Sequence, residues 1–274
     1  MKTIAVLLTV FNRKEKTVAC LQNLLLQELP KGFVLDVFLV NDGCTDGTPE
    51  AVKAQFPLVN IINSNGNLFW NRGMHLAWQT AAKTKDYDFY LWLNDDTMLN
   101  EKALTVLLKT SLQKEHQSII VGSTSGLDSN EEVTYGGRSN KTGLLFPENK
   151  LIICDYFNGN IVLIPKYTFK KVGINDPVFH HALGDFDYGL RAGKLGFNHY
   201  VAPDFLGRCD VHETLLTWCN SNKSFKQRWK AFKSPLGNNP AEFFIFKKRQ
   251  DGLFMAVITY ITIHFRVIFP KIWQ

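Results

Sequence analysis

The chain has 274 residues, 45% hydrophobic and 20% charged, which supplies a full core and argues against an intrinsically disordered segment. Its formal charge of +6 is concentrated at one end: residues 220–274 hold ten Lys/Arg against Glu242 and Asp251, a surplus of +8 beside −2 for the rest. Without a recognisable nucleic-acid module, that surplus points to an anionic membrane surface and away from nucleic acid. The five scattered cysteines form no CxxC pair, which fits reduced thiols in a cytosol and opposes a disulfide framework or a zinc site.

The first apolar run, "TIAVLLTV" at 3–10, superficially resembles a signal peptide. It is short, interrupted by threonines and followed by no small-residue cleavage site, so it reads as a buried strand. Apolar runs and amphipathic segments then alternate. "KEKTVACLQNLLLQ" reads as helix, "VLDVFLVND" as strand, "TPEAVKAQF" as helix and "LVNIINS" as strand. "WNRGMHLAWQTAAKT" is a helix, "DFYLWLND" a strand, and a helix follows from Glu101. This alternation predicts an α/β fold whose mostly parallel sheet is flanked by helices on both faces. The middle is less regular. "GSTSGLDSNEEVTYGGRSNKTG" reads as a surface hairpin or loop, "NIVLIP" as a strand, "HHALGDFDYGLRAGKLGF" as a loop becoming a helix, and "NHYVAPDF" as a strand. Beyond Lys223 the pattern changes to basic, aromatic-rich helices.

In parallel α/β sheets, ligands bind outside the carboxyl ends of the strands. Three such ends carry notable polar residues: Thr9 and Asn12, Asn41 and Asp42, and Asn94, Asp95 and Asp96. The stretch "YLWLNDDTML" can be a plain turn, or a seat for Mg²⁺ or Mn²⁺ held by carboxylates and substrate phosphates. Convergence of the three ends on one cleft favours the cation. Within "VNDGCTDGT", Asp42 can accept hydrogen bonds from a nucleobase or ribose hydroxyl, or simply begin a turn. Neither GxGxxG nor GxxxxGK[ST] is present, which disfavours a dinucleotide-binding dehydrogenase and a glycine nest for phosphate.

The motifs "LLTVFNR", "VNDGCTDGT", "LNDDT", "GDFDYGLRA" and "CDVHE", in this order and spacing, resemble the bacterial family 2 glycosyltransferases of GT-A (Rossmann-like) fold over residues 2–213. "NSNGNLFWNRGMHLAW" is similar to a subgroup that builds O-antigen and capsule polysaccharides, the rhamnosyl-, galactosyl- and glucosyltransferases. The resemblance implies that Thr9, Phe11 and Asp42 cradle the nucleobase and ribose, with Asn12 beside them on the donor. Asn71 and Arg72 would approach the diphosphate or donor sugar. Asn94, Asp95 and Asp96 stand where the family places Asp-x-Asp: Asp96 on the metal, Asp95 towards ribose or donor, and Asn94 in place of the first aspartate. His212 matches a histidine that completes the metal site or touches the diphosphate in several relatives. In "GDFDYGLRA", Asp185 aligns with the general base, Gly184 stands where a glutamate is common, and Asp187 is the alternative base. Arg191 would pair with one of these acids. Trp70, in a glycine-flanked loop, is the tryptophan placed to stack on a sugar, whereas Trp78 and Trp92 read as packing; His180 and His181 are loop residues that could line the acceptor site.

The resemblance therefore implies an inverting, metal-dependent enzyme. It would move a sugar from a nucleotide-diphosphate donor to a hydroxyl of a lipid-linked glycan, at the cytoplasmic face of the cell membrane. A catalytically silent GT-A-like scaffold is one alternative. A sugar-nucleotide pyrophosphorylase is another, though the chain lacks its glycine-rich basic loop after the first strand. The expected organisation is a GT-A domain over 1–219 and a basic, helical extension over 220–274. Within the extension, the apolar stretch 254–269 is either a helix packed on the core or an interfacial helix, with Lys247, Lys248 and Arg249 offered to anionic headgroups.

Overall fold

A computed structural model of the protein describes residues 1–128, 132–211 and 216–273. In chain order the first half contains β1 (Lys2–Val10), α1 (Lys14–Leu25), β2 (Phe33–Asn41), α2 (Thr48–Gln55), β3 (Asn60–Asn63), α3 (Phe69–Thr84), β4 (Phe89–Leu93), β5 (Met98–Leu99) and α4 (Ala103–Gln113). The second half contains β6 (Ile119–Ser125), β7 (Val133–Tyr135), β8 (Gly137–Ser139), β9 (Gly143–Leu144), β10 (Ile152–Cys154), β11 (Tyr156–Phe157) and β12 (Ile161–Pro165). It continues with α5 (Lys166–Val172), α6 (Gly184–Lys194), β13 (His199–Arg208), α7 (Phe225–Phe232) and α8 (Pro240–Ile268).

The main sheet runs β10-β13-β6-β12-β4-β1-β2-β3. As the alternation predicts, β1, β2, β3 and β4 are parallel, and β6 is parallel to β13. The near-continuous apolar strands arise because both faces are covered. Along β1, Ile4, Val6, Leu8 and Val10 join α1 and α4 in one core; Ala5 and Leu7 join α3 and α6 in the other. β4 divides the same way, sending Phe89, Leu91 and Leu93 to the first core and Tyr90 and Trp92 to the second. Trp78 and Trp92 are fully buried, as their packing role requires.

β12 departs from the parallel pattern. It lies antiparallel between β4 and β6, and its burial on both faces gives "NIVLIP" the same composition as a parallel strand. The turn-rich stretch expected as a surface hairpin contains the end of β6 and the strands β7 and β8. β7 pairs antiparallel with β6, while β8 joins a small sheet of order β11-β8-β9.

A third apolar cluster, Trp218, Cys219, Phe232, Ile263 and Val267, belongs to the C-terminal segment. α7 starts with a capping box between Ser224 and Gln227. α8 is capped by Asn239, whose Oδ1 accepts from the Ala241 N–H at 3.1 Å. At Gly252 the backbone turns to φ 86° and ψ 171°, so α8 is two arms joined at a break. In the second arm Ala256, Ile263 and Val267 are buried, whereas Phe254 is 77% exposed and Ile261 and Phe265 are half exposed.

Candidate active site

β1, β2 and β4 end side by side, and their carboxyl ends build the site. After β4 the chain makes a turn in which the Thr97 N–H donates to the Asn94 carbonyl at 3.1 Å. The turn reading of "LNDDT" is therefore true of its backbone, yet it also sets two buried carboxylates together. Arg13, from the loop after β1, donates through Nη1 to Asp96 Oδ2 at 2.7 Å and to Asp95 Oδ1 at 3.3 Å. Thr17 Oγ1 donates to Asp95 Oδ2 at 3.3 Å. Burial pushes the Asp95 carboxyl up to about 7 against the pull of Arg13, and the neighbouring charge of Asp96 adds to the rise.

Asn94 points elsewhere. Its Oδ1 accepts the Trp70 indole N–H at 2.7 Å, so the amide fixes Trp70 beside the acid pair. Trp70 lies against Gly159, where a Cβ would collide with the indole. The Gly159 N–H in turn donates to Asp185 Oδ2 at 3.0 Å, and the Phe186 N–H donates to Oδ1 at 2.9 Å. A continuous chain of contacts thus runs from Asn94, beside the acid pair, through Trp70 and Gly159 to Asp185 at the start of α6. Burial pushes Asp185 up to about 6, while the backbone donors and Arg138 hold it back.

Asp187 has different surroundings. It is 1% exposed and faces Arg249 of α8 at 3.4 Å, Arg191 at 3.6 Å and the Gln250 amide at 3.3 Å. Burial raises its carboxyl and the two guanidinium groups pull it down. The expected pairing of Arg191 is with this acid. The vacant side chain at Gly184 has a steric cause: a Cβ there would overlap the Asn71 carboxamide.

Asp42 accepts Ser64 Oγ at 2.7 Å and the backbone N–H groups of Leu68 and Phe69 at 3.0 and 2.9 Å, which anchors the segment leading into α3. Thr9 is buried beneath Gly73 of α3, where no side chain has room. Asn12, with φ 51°, accepts the Thr45 N–H at 2.7 Å and ties the loops after β1 and β2 together; Phe11 beside it is 58% exposed. Asn71 is fully buried, donating to the Asp176 and Phe179 carbonyls at 2.8 and 2.7 Å. Arg72 Nε donates to the Pro177 carbonyl at 2.8 Å. Both residues therefore hold the segment before α6 in place. His212 lies outside the described residues. Arg13 and Gly159 were missed by sequence reasoning. The "FNR" at the end of the first motif carried the signal for Arg13, whereas Gly159 shows its role only through contacts distant in sequence.

The carboxylates of Asp95 and Asp96 suit a hard cation by chemistry and burial. Among the described residues no group of three or more His, Cys, Asp or Glu is assembled around a metal position, so diphosphate oxygens and water would complete the shell.

The profile of Glycosyl transferase family 2 matches residues 5–184, from β1 to the first residue of α6. The chain belongs to glycosyl transferase family 2. Solved structures that resemble this glycosyltransferase include S. aureus TarS, with 13% identity, a TM-score of 0.60, and coverage of 97% of this chain and 44% of that one. Another is S. aureus TarS 1-349 in complex with UDP, with 13% identity, a TM-score of 0.57 and coverage of 92% and 67%. A third is GalNAc-T7 with UDP, GalNAc and Mn2+, with 12% identity, a TM-score of 0.59 and coverage of 85% and 48%. At these identities the likeness is one of fold, GT-A, and the chain spans about half the length of the first and third. No curated protein matches the sequence. Family membership makes the chain a glycosyltransferase, and the fold is GT-A.

Proposed function

We propose that this glycosyltransferase moves one sugar, with inversion, from a nucleoside diphosphate sugar to a hydroxyl of a lipid-linked glycan during assembly of a cell-surface polysaccharide such as O-antigen or capsule. The observation that carries the reading is the chain of contacts joining the acid pair to Asp185. It sets a cation-seeking pair and a half-buried carboxylate with a raised pKa around one tryptophan. Asp185 takes the proton of the acceptor hydroxyl as its oxygen bonds to the anomeric carbon, and the bond from that carbon to the diphosphate breaks. A base near pKa 6 is ionised at neutral pH and still basic enough to accept that proton. Asp95 and Asp96 would hold Mg²⁺ or Mn²⁺. Bound there, the cation would offset the charge that grows on the leaving diphosphate. UDP and Mn²⁺ in the structural neighbours support a UDP-type donor and a divalent cation here.

We place the enzyme at the cytoplasmic membrane face, attached peripherally through the C-terminal segment, with 1–219 as the catalytic unit. α8 is long and apolar enough to cross a membrane, its most apolar 18-residue stretch having a mean hydropathy of 1.4. Three features favour lying on the surface over crossing it. α8 breaks at Gly252, its second arm reaches only about 24 Å, and Arg249 is tied to the core by Asp176 at 2.8 Å. The apolar face of the second arm would then make the attachment, with Lys248 beside it.

The test is thermal unfolding with UDP-, dTDP- and GDP-sugars, each with and without Mn²⁺. One donor should raise Tm, and raise it more with the cation. Hydrolysis of that donor separates this reading from a silent scaffold. No rise with any donor overturns it.

A further inference from the structure

A cavity of about 160 Å³ lies between the segment before α6 and the C-terminal segment, and it shares no residue with the acid pair. Leu183 forms one wall; Trp218, Pro235, Asn238 and Glu242 form the other. We propose that this cavity is a carbohydrate subsite that seats one sugar ring of the acceptor. The inference rests on the reading that the acceptor is a glycan, and names where a ring of it binds.

Size comes first. An apolar cavity of roughly 150 Å³ takes benzene, so this one admits a single six-membered ring. The polar groups decide which kind. Trp218 is 5% exposed, and its indole N–H has no hydrogen-bond partner among the described residues. A buried donor left unmatched is costly, and a ligand hydroxyl that reaches it relieves that cost. The Asn238 side chain is half-buried on the same wall. An indole with an apolar face and a polar edge, next to a carboxamide, suits a polyhydroxylated ring better than a hydrocarbon.

The walls are preorganised. Glu242 is held by both oxygens, accepting the His180 backbone N–H at 3.0 Å and pairing with His180 Nδ1 at 2.7 Å. Gly237 closes the turn between Pro235 and Asn238; a Cβ there would run into the Ala231 carbonyl. A wall that need not reorganise binds at lower entropic cost. Position completes the case. Leu183, left-handed at φ 71°, immediately precedes Gly184 and Asp185, so the cavity borders the segment that carries the base. The donor side, at the ends of β1, β2 and β4, contributes nothing to it. The C-terminal segment is then part of acceptor recognition as well as an attachment.

Saturation-transfer NMR on the full chain tests this, with methyl glucoside, galactoside, N-acetylglucosaminide and rhamnoside as probes. At least one should receive saturation. Its binding should weaken about tenfold in Asn238→Ala and in Trp218→Phe, which keeps an aromatic ring, smaller than the indole, and removes the N–H. Asn238 is away from the packed cores, so Asn238→Ala keeps the test open if the tryptophan variant folds poorly. Melting the same samples with UDP separates two failures: no UDP shift in any sample counts against a UDP donor, while loss of glycoside binding in Asn238→Ala still supports the subsite. Binding of no glycoside, or binding that both variants leave intact, overturns the subsite.

Discussion

Arg13 Nη1 lies 2.7 Å from Asp96 Oδ2, so the acid pair meets a cation of its own chain before any ligand arrives. Breaking a buried ion pair costs about 3–5 kcal/mol, but Arg13 is 39% exposed and water screens it, which reduces the expected cost to about 1–2 kcal/mol. Arg13→Gln should therefore melt below wild type without metal. It should also gain more Tm than wild type from Mn²⁺, because the metal no longer competes with a guanidinium. A variant that melts like wild type and responds to Mn²⁺ no more strongly would show that Arg13 does not guard the pair.

The two acids of "GDFDYGLRA" should separate by what they lose. Asp185→Asn preserves the contacts with Gly159 and Phe186 poorly and cannot take a proton, so transfer should fall by ~10²–10⁴-fold with donor affinity little changed. Asp187→Asn leaves Arg249 and Arg191 without their buried counter-charge and should chiefly lower Tm. Reversal of these patterns in single-turnover assays and melting curves would reverse the assignment of the base.

The pH dependence follows from Asp185. Its folded pKa of about 6 lies above the ordinary aspartate value of 3.8, so transfer should rise with pH through about 6, as the carboxylate forms. Stability runs the other way. The unfolded chain releases this proton first, so the contribution of Asp185 is intact below about pH 4 and is lost as pH climbs to 6. Denaturant unfolding between pH 4 and 7 should show that decline in wild type and a shallower one in Asp185→Asn. Equal slopes would place the titration on another group.

Membrane attachment should depend on the exposed arm of α8. Lys247 is paired with Asp251 at 2.8 Å, and Arg249 with Asp176 and Asp187, so the basic triplet is largely occupied within the protein. Phe254, Ile261 and Phe265 are free to insert. Wild type should float with anionic vesicles, and a Phe254→Ser, Ile261→Ser, Phe265→Ser variant should remain in the dense fraction. Equal behaviour of the two proteins would assign this face another role.

The regular part of the fold could be read from the sequence because both faces of β1, β2 and β4 are covered, which leaves long apolar runs separated by helices. Strand direction could not. "NIVLIP" is buried on both sides whichever way it runs, and composition does not record that β12 is antiparallel. At the site, the acid pair stood out because adjacent carboxylates at the end of an apolar strand need a reason. Asn71 did not, since its burial depends on carbonyls more than a hundred residues away. Separation in sequence, of 73 and 62 residues, also hid Arg249: a basic triplet looks like a surface patch until Asp176 and Asp187 are found beside it.

The overlap that a side chain at 184 would make with Asn71 has a consequence for comparing related chains. Volume at the two positions must be traded: an enzyme with glutamate at the first needs a smaller or differently turned residue at the second. The pair should therefore co-vary across an alignment, with glycine and asparagine travelling together. A chain that carries the large residue at both positions must shift α3 away from α6. Such a shift would alter how the donor side meets the acceptor side, so this one pair can sort relatives into geometric subtypes before any of their substrates is known.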